Sequence, residues 1–254
     1  MKILISGYAG FMGKEVKKLC LEGYKGAELV LGVDPNADPS DSLAVRSFSE
    51  VPEDTAIDCI VDFSFHTATP ALLDFAVARR IPVVLATTGH TDEELEIINK
   101  AAKNIPIFYS RNMSLGIALL IELAKITALA MPEAEIEIIE SHHNRKLDAP
   151  SGTALMIADT ICSVRPEAYT NSGRSGQGKR SPEEIGIHSI RMGNIVGIHE
   201  VIVGTKNQTI TLKHEAHDRA LFAEGGLCAA AFIVGRKVGL YDMASLVDEQ
   251  ASSI

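Results

Sequence analysis

Short apolar runs alternate with helical patterns through the first half of the chain. Lys2–Ser6 (KILIS) precedes a glycine-rich turn and a helical stretch to about Glu22. Ala27–Val33 (AELVLGV) follows and ends at Asp34. Ile57–Phe63 leads into a helix through Ala71–Arg79, and Pro82–Thr87 leads into a helix over Thr91–Asn104. Ile105–Ser110 closes the set. Runs that are apolar almost throughout are strands covered on both faces. Their alternation with helices predicts a doubly wound parallel sheet of Rossmann type with right-handed crossovers. Thr91 with Glu94 three residues on is a capping-box signature for the helix that starts there.

The pattern changes after Asn112. A long helix over Ser114–Met131 precedes a strand at Ala134–His142, and Pro-Ser-Gly opens a further helix at Gly152–Val164. A loop rich in Gly, Ser and Arg (Asn171–Arg180) separates these from three β-type runs, HSIRM, HEVIVGT and QTITLKHEA. In the last, Thr209, Thr211 and Lys213 alternate with Ile210 and Leu212, the period of a strand with one covered face. A second, α+β domain with a mixed or antiparallel sheet is expected. From Arg219 the chain reads as helical again, and AEGGLCAAAFIVG is too apolar to be a free tail. The expected fold class is thus α/β, with an N-terminal Rossmann-type sheet and a C-terminal α+β domain.

The 254 residues, 46% hydrophobic and 22% charged, suffice for two ordinary domains and exclude global disorder. No apolar run reaches the roughly 18 residues of a membrane span. Leu115–Met131 is broken by Glu122 and Lys125. The N-terminal MKILISGYAG reads as a first strand, not a secretory signal. Cys20, Cys59, Cys162 and Cys228 lack metal spacing and read as free thiols of a cytoplasmic protein. The net charge of −9 argues against a nucleic-acid surface, so neither nucleic acid nor membrane is an expected partner.

Gly7, Gly10 and Gly13 sit between the first strand and its helix in a GxxGxxG spacing. Gly7 permits the tight turn, Gly10 lets backbone N–H groups approach a pyrophosphate, and Gly13 allows close helix–strand packing. The helix N-terminus adds a partial positive charge. Asp34, about twenty residues on at the end of the second strand, suits the ribose hydroxyls of a dinucleotide. A carboxylate there repels a 2′-phosphate, and neither Pro35 nor Asn36 offsets it, so NADH is favoured over NADPH, although Lys14 partly compensates. The other reading is a glycine turn without a ligand.

The densest chemistry lies in Glu140–Thr153, where His142, His143, Arg145, Lys146 and Asp148 precede Pro150, Ser151, Gly152 and Thr153. Adjacent histidines on a strand face opposite ways and no further ligand stands at metal spacing, so no metal is expected. A helix start with two hydroxyls beside cationic donors suits a carboxylate, with Asp148 holding the loop by capping bonds. The competing reading is a solvated polar loop.

Glu140–Ala154 matches E-x-H-H-x-x-K-x-D-x-P-S-G-T-A, and on this motif the chain resembles the dihydrodipicolinate reductase family. Gly7–Gly13, Asp62-Phe63-Ser64, Thr87-Thr88-Gly89, Asn112-Met113-Ser114, Gly186–Ser189 with Arg191, Gly193 and Gly197, Arg219 and Gly239–Met243 extend the resemblance over nearly the whole chain. It implies an NADH- or NADPH-dependent reductase acting on a small cyclic dicarboxylate in lysine and diaminopimelate biosynthesis, assembled as a homotetramer through the second domain's sheet. The nucleotide domain would comprise residues 1–112 and 220–254, and the substrate domain 113–219. By position, His142 corresponds to the catalytic histidine and Lys146 to the proton donor. His143, Ser151, Gly152, Thr153 and Arg219 correspond to substrate-carboxylate ligands. Gly7, Tyr8, Ala9, Gly10, Phe11, Met12, Gly13 and Asp34 would contact the cofactor, as would Phe63, Ser64, Thr87, Thr88, Gly89, Ser110, Arg111, Asn112 and Met113. Ala86 and Ser110-Arg111 depart from the family pattern near the nicotinamide end. Because the glycine turn and the signature lie on different domains, a closing motion is expected. The alternative from another class is an NAD-binding regulatory module without reductase activity.

Overall fold

The computed structural model describes residues 1–252, and the chain divides into two compact units. One comprises Met1–Leu115 with the chain from Ala220 on, and the other Gly116–Arg219.

The first unit is built on a seven-stranded, all-parallel sheet. Its strands are β1 (Lys2–Ser6), β2 (Glu28–Val33), β3 (Ala44–Val45), β4 (Cys59–Asp62), β5 (Val83–Leu85), β6 (Pro106–Tyr109) and β12 (Gly239–Tyr241). Their order is β12-β6-β5-β4-β1-β2-β3, so the direction of winding reverses between β1 and β4. Ile3–Ile5, Cys59–Val61 and Val83–Leu85 are wholly buried because helices cover both faces, as all-apolar strands require. Each such side chain removed from water contributes about 1.5–3 kcal/mol. The helices are α1 (Phe11–Leu21), α2 (Thr69–Arg79), α3 (Asp92–Ala101), α6 (Ala220–Ile233) and α7 (Met243–Ser252). Thr91 forms the expected capping box with Glu94. The apolar α6 packs on α1 and the central strands, where Phe232 meets Phe108 edge to face and Gly226 lies against Phe63.

The second unit carries a five-stranded mixed sheet, in the order β11-β10-β7-β9-β8. Its strands are β7 (Glu135–His142), β8 (Tyr169–Ser172), β9 (Glu184–Arg191), β10 (Gly197–Thr205) and β11 (Gln208–Ala216). β10 runs antiparallel to β7 and β11, whereas β9 runs parallel to β7 and β8. Helices α4 (Leu115–Ala130) and α5 (Gly152–Val164) cover one face. β7 alternates accordingly, with Ile136, Ile138, Glu140 and His142 buried and the residues between them more exposed.

Three elements differ from the sequence reading. β3 and β12 are strands of two and three residues that the hydrophobic pattern does not reveal. The tail beyond α6 is therefore not helical throughout, because β12 joins the sheet beside β6 before α7. β8 also forms at the start of the polar loop, as an edge strand with little burial. Among the described residues, no helix is long and apolar enough to cross a membrane.

Candidate functional site

The strand register places Ser6, Val33, Asp62, Leu85 and Tyr109 in one row at the carboxyl edge of the parallel sheet. That edge, where the winding reverses, is where open α/β sheets bind ligands. A pocket of about 820 Å³ lies there, lined on one side by Gly7, Ala9, Gly10 and Asp34 and on the other by Phe63 and Ser64. Gly7 has φ of +80°, and a Cβ on it would lie 2.7 Å from the Phe63 carbonyl oxygen. A Cβ on Gly13 would lie 2.2 Å from the Gly7 carbonyl oxygen, so this glycine seats α1 against the turn itself, not against a strand. Gly10 caps α1 without a side-chain hydrogen bond, and no acid stands in the first helical turn. The first N–H groups of α1 are thereby left to an anion from the pocket, so the residues present fit a dinucleotide pyrophosphate.

Asp34 is buried, and each carboxylate oxygen already accepts a backbone N–H: Ala9 at 3.0 Å and Asn36 at 2.8 Å. Those bonds hold the carboxylate rigidly at the pocket wall and leave lone pairs for ribose hydroxyls. Tyr8 turns away from the pocket. Its ring packs over Gly32, and its hydroxyl donates to Asp41 at 2.9 Å and accepts from Lys17. Phe11 points to solvent. The side chains of Tyr8, Phe11 and Met12 do not line the pocket, and Phe11, Met12 and Gly13 face it through the backbone of the first turn of α1.

Beyond the pocket, Asp62 organises the ends of β4 and β5. It is fully buried and accepts from the hydroxyls of Ser64 and Thr87, both at 2.6 Å. Burial pushes its carboxyl up despite those bonds. Thr88 and Gly89, with φ of +85° at Gly89, follow Thr87 directly. After β6, Ser110 donates to the Asn112 carbonyl at 2.7 Å, and Asn112 in turn accepts from the Ser114 N–H at 2.8 Å. Arg111 is exposed at this turn, whereas Met113 is buried in the core beneath it.

The second unit holds the other cluster at the end of β7. His142 is buried, and its Nδ1 lies 2.5 Å from Glu140. Glu140 also takes both terminal nitrogens of Arg191, at 2.9 and 2.7 Å, and the Ser151 N–H at 3.1 Å. Burial works to raise the Glu140 carboxyl, but its hydrogen bonds from His142 and Arg191 hold it well below the usual carboxylate range. Ser151 caps α5 by accepting from the Ala154 N–H at 3.2 Å, and the Gly152 N–H at the same helix start turns to the Asp148 carboxylate. His143 lies just past the strand, 3.4 Å from an Arg219 guanidinium nitrogen. Its imidazole is pushed down by partial burial and then by the cations around it, Arg145 and Arg219 foremost. Lys146 pairs with Asp148 at 2.9 Å, and Asp148 also takes the Gly152 N–H at the start of α5, so it holds the loop by an ion pair together with the expected capping bond. The cluster is a local positive site on an acidic chain, suited to an anion. Among the described residues, no group of metal-ligating side chains comes together.

Three neighbours lie outside the sequence-derived set. Arg46 lines the nucleotide pocket opposite Asp34, at the end of the unrecognised β3. Arg191 reaches Glu140 from β9, and buried His199 on β10 lies 3.2 Å from the Ser151 hydroxyl. Arg191 follows the Gly186–Ser189 motif closely, but its bond to Glu140, like the approach of Arg46 and His199, comes from strand pairing.

A dinucleotide site on a Rossmann sheet and an anion site with a buried histidine and a half-buried lysine define a nicotinamide-dependent oxidoreductase built of two units. Residues 1–113 match the N-terminal and residues 116–247 the C-terminal family model of dihydrodipicolinate reductase. The 4-hydroxy-tetrahydrodipicolinate reductase of Caldanaerobacter subterraneus subsp. tengcongensis is 48% identical over 97% of this chain and 98% of its own. That of Clostridium novyi is 42% identical over the same shares. The dipicolinate-bound dihydrodipicolinate reductase from Paenisporosarcina sp. TG-14 has the same fold, with a TM-score of 0.81, 24% identity and coverage of 95% of this chain and 97% of that one. The chain belongs to the dihydrodipicolinate reductase family, whose activity is NAD(P)H-dependent reduction to tetrahydrodipicolinate in lysine and diaminopimelate biosynthesis.

Proposed function

We propose that the second unit binds a small cyclic dicarboxylate with a conjugated imine, and that His142 and Lys146 carry the proton chemistry of its reduction. The observation behind this reading is the gathering of His142, His143, Lys146 and Arg219 around the capped start of α5. A bound nicotinamide supplies the hydride. The chain's residues supply the rest. Ser151 offers its hydroxyl to a carboxylate at the positive start of α5, where Gly152 and Thr153 form the first turn, and His143 and Arg219 add neutral and cationic donors. Hydride addition leaves an enamine-like negative charge on the ring. Lys146 stands in the same loop to deliver the proton, and His142 polarises the position where that charge develops.

The cofactor is held by the glycine turn, Asp34, Phe63 and Ser64. Thr87–Gly89 and Ser110–Met113 frame its nicotinamide end. The protein works as a homotetramer in the cytoplasm, where four unpaired cysteines suit a reducing medium.

The test supplies pyruvate and aspartate semialdehyde through the preceding synthase and follows loss of reduced-nicotinamide absorbance. His142→Ala and Lys146→Ala are each expected to lower kcat by about 10²-fold or more. Near wild-type turnover in both overturns the assigned roles. No oxidation of either cofactor by the wild type returns the chain to a nucleotide-sensing module.

A further inference from the structure

The most completely satisfied buried charge in the second unit belongs to a residue that the proposed mechanism leaves without a role. Glu140 is fully buried, and its oxygens accept four hydrogen bonds from His142, Arg191 and Ser151, with the Ser189 side chain a further partner. Oε2 receives His142 Nδ1 and Arg191 Nη1, and Oε1 receives Arg191 Nη2 and the Ser151 N–H. The four acceptor positions of the carboxylate are thereby filled. We infer that Glu140 is the positioning residue of this site: it fixes His142 with its proton on Nδ1 and its Nε2 presented to the substrate, and Arg191 fixes Glu140 in turn. The inference rests on the role proposed above for His142.

The geometry dictates the tautomer. An ionised carboxylate only accepts, so Nδ1 facing it at 2.5 Å must donate. Nε2, on the far edge of the ring, is then the nitrogen from which His142 donates to the substrate when the ring carries a second proton. Nε2 lies beside Gly197, where a Cβ would come within 3.2 Å of it, so the glycine preserves the space. Arg191 makes two further bonds, to the carbonyls of Ile190 at 2.8 Å and Asp148 at 2.6 Å. One carboxylate thus sets strand β7, strand β9 and the loop bearing Lys146 relative to the start of α5. A core ion pair serving stability alone needs no such link to a histidine edge.

Glu140→Gln separates the two possibilities at constant volume. The amide has one acceptor. Placed at Oε1 it keeps the bonds from Arg191 and from the fixed Ser151 N–H, which turns the NH2 toward His142. That NH2 faces the Arg191 Nη1 donor and demands a bare Nδ1, so the ring keeps at most a proton on Nε2 and loses the doubly protonated form that Glu140 supports. A comparable exchange of tautomer in serine proteases is costly.

The experiment combines nitrogen-15 NMR of the histidine ring with kinetics of Glu140→Gln, His142→Ala and the double variant. The wild type is expected to show His142 protonated at Nδ1, and Glu140→Gln to show the proton moved to Nε2 with kcat lowered about tenfold or more. In the His142→Ala background the same substitution is expected to change kcat by less than about twofold, because Glu140 acts through His142. Equal losses in both backgrounds mark a merely structural role and overturn the inference. So does a wild-type His142 with bare Nδ1, a reading that needs no variant to fold and leaves the role of His142 standing. Wild-type turnover in His142→Ala overturns that role, and this inference with it.

Discussion

At the scale of single residues, the buried histidines carry a pH dependence that can be worked out. His199 is 4% exposed, and burial, reinforced by the neighbouring charge of His142, pushes its imidazole down to about 4 from an ordinary 6.5. It is neutral at pH 7. Its Nδ1 has no partner among the described residues, whereas Nε2 faces the Ser151 hydroxyl at 3.2 Å. A buried N–H without an acceptor is rarer than a bare acceptor, so the proton belongs on Nε2 and is donated to Ser151. The Ser151 oxygen then accepts from both His199 and Ala154, and its own proton is free for an anionic ligand. Between pH 6.5 and about 4 the unfolded chain binds a proton at this position that the native state does not. Stability from a neutral buried His199 is therefore complete above 6.5 and lost as pH falls toward 4. The loss is of the order of 3 kcal/mol, from about 1.4 kcal/mol per pH unit. Thermal melts of wild type and His199→Gln across that interval test this. The wild-type Tm is expected to fall more steeply, and parallel curves rule the assignment out.

At the scale of elements, the nucleotide pocket shows both what the sequence reveals and what it hides. The buried strands β1, β4 and β5 were legible because both faces are covered, which leaves uninterrupted apolar runs. β3 was not, because two residues carry no period. That omission matters chemically. β3 pairs Val45 with Val33 and so delivers the next residue, Arg46, to the pocket that Asp34 walls. The absence of an arginine immediately after Asp34 pointed to NADH, yet an arginine arrives from the neighbouring strand. Its side chain is exposed and forms no hydrogen bond or ion pair among the described residues. Asp34 favours ribose hydroxyls while Arg46 offers a charge-assisted contact to a 2′-phosphate, so both cofactors are expected to serve, with kcat/KM values within tenfold of each other. Arg46→Ala is expected to lower kcat/KM for NADPH by about 10–100-fold, the worth of a hydrogen bond to a charged group, and for NADH by less than about twofold. Equal effects on the two cofactors refute this division of labour.

At the scale of the whole molecule, sequence and structure part company over surfaces. The site was legible as the run Glu140–Thr153 because a single loop and helix start carry most of it. His199, and the tie of Arg191 to Glu140, were hidden because sheet pairing, not sequence proximity, brings these side chains to Ser151 and Glu140. The same sheet offers a surface for the proposed homotetramer. Its helix-covered face buries Ile136, Ile138, Val201 and Val203, so by strand alternation Ile139, Ile198 and Ile202 stand on the other face. Ile202 sits mid-sheet between Glu137 on β7 and Thr211 on β11. β-branched apolar residues at the centre of a face that no helix of this unit covers are what a sheet-to-sheet subunit contact needs. Closed point-group symmetry makes such a contact self-complementary, so one substitution is repeated on both sides of it. Ile202→Glu places a new carboxylate beside Glu137 and opposite its own symmetry mate. Wild-type protein is expected to sediment as a tetramer and the variant as a smaller species with its far-ultraviolet circular dichroism retained. A wild type that sediments as a monomer removes the tetramer, and a variant that stays tetrameric moves the contact off this face. The exposed apolar stripe of α4, Leu119, Leu123 and Ile126, is then the surface left to carry it.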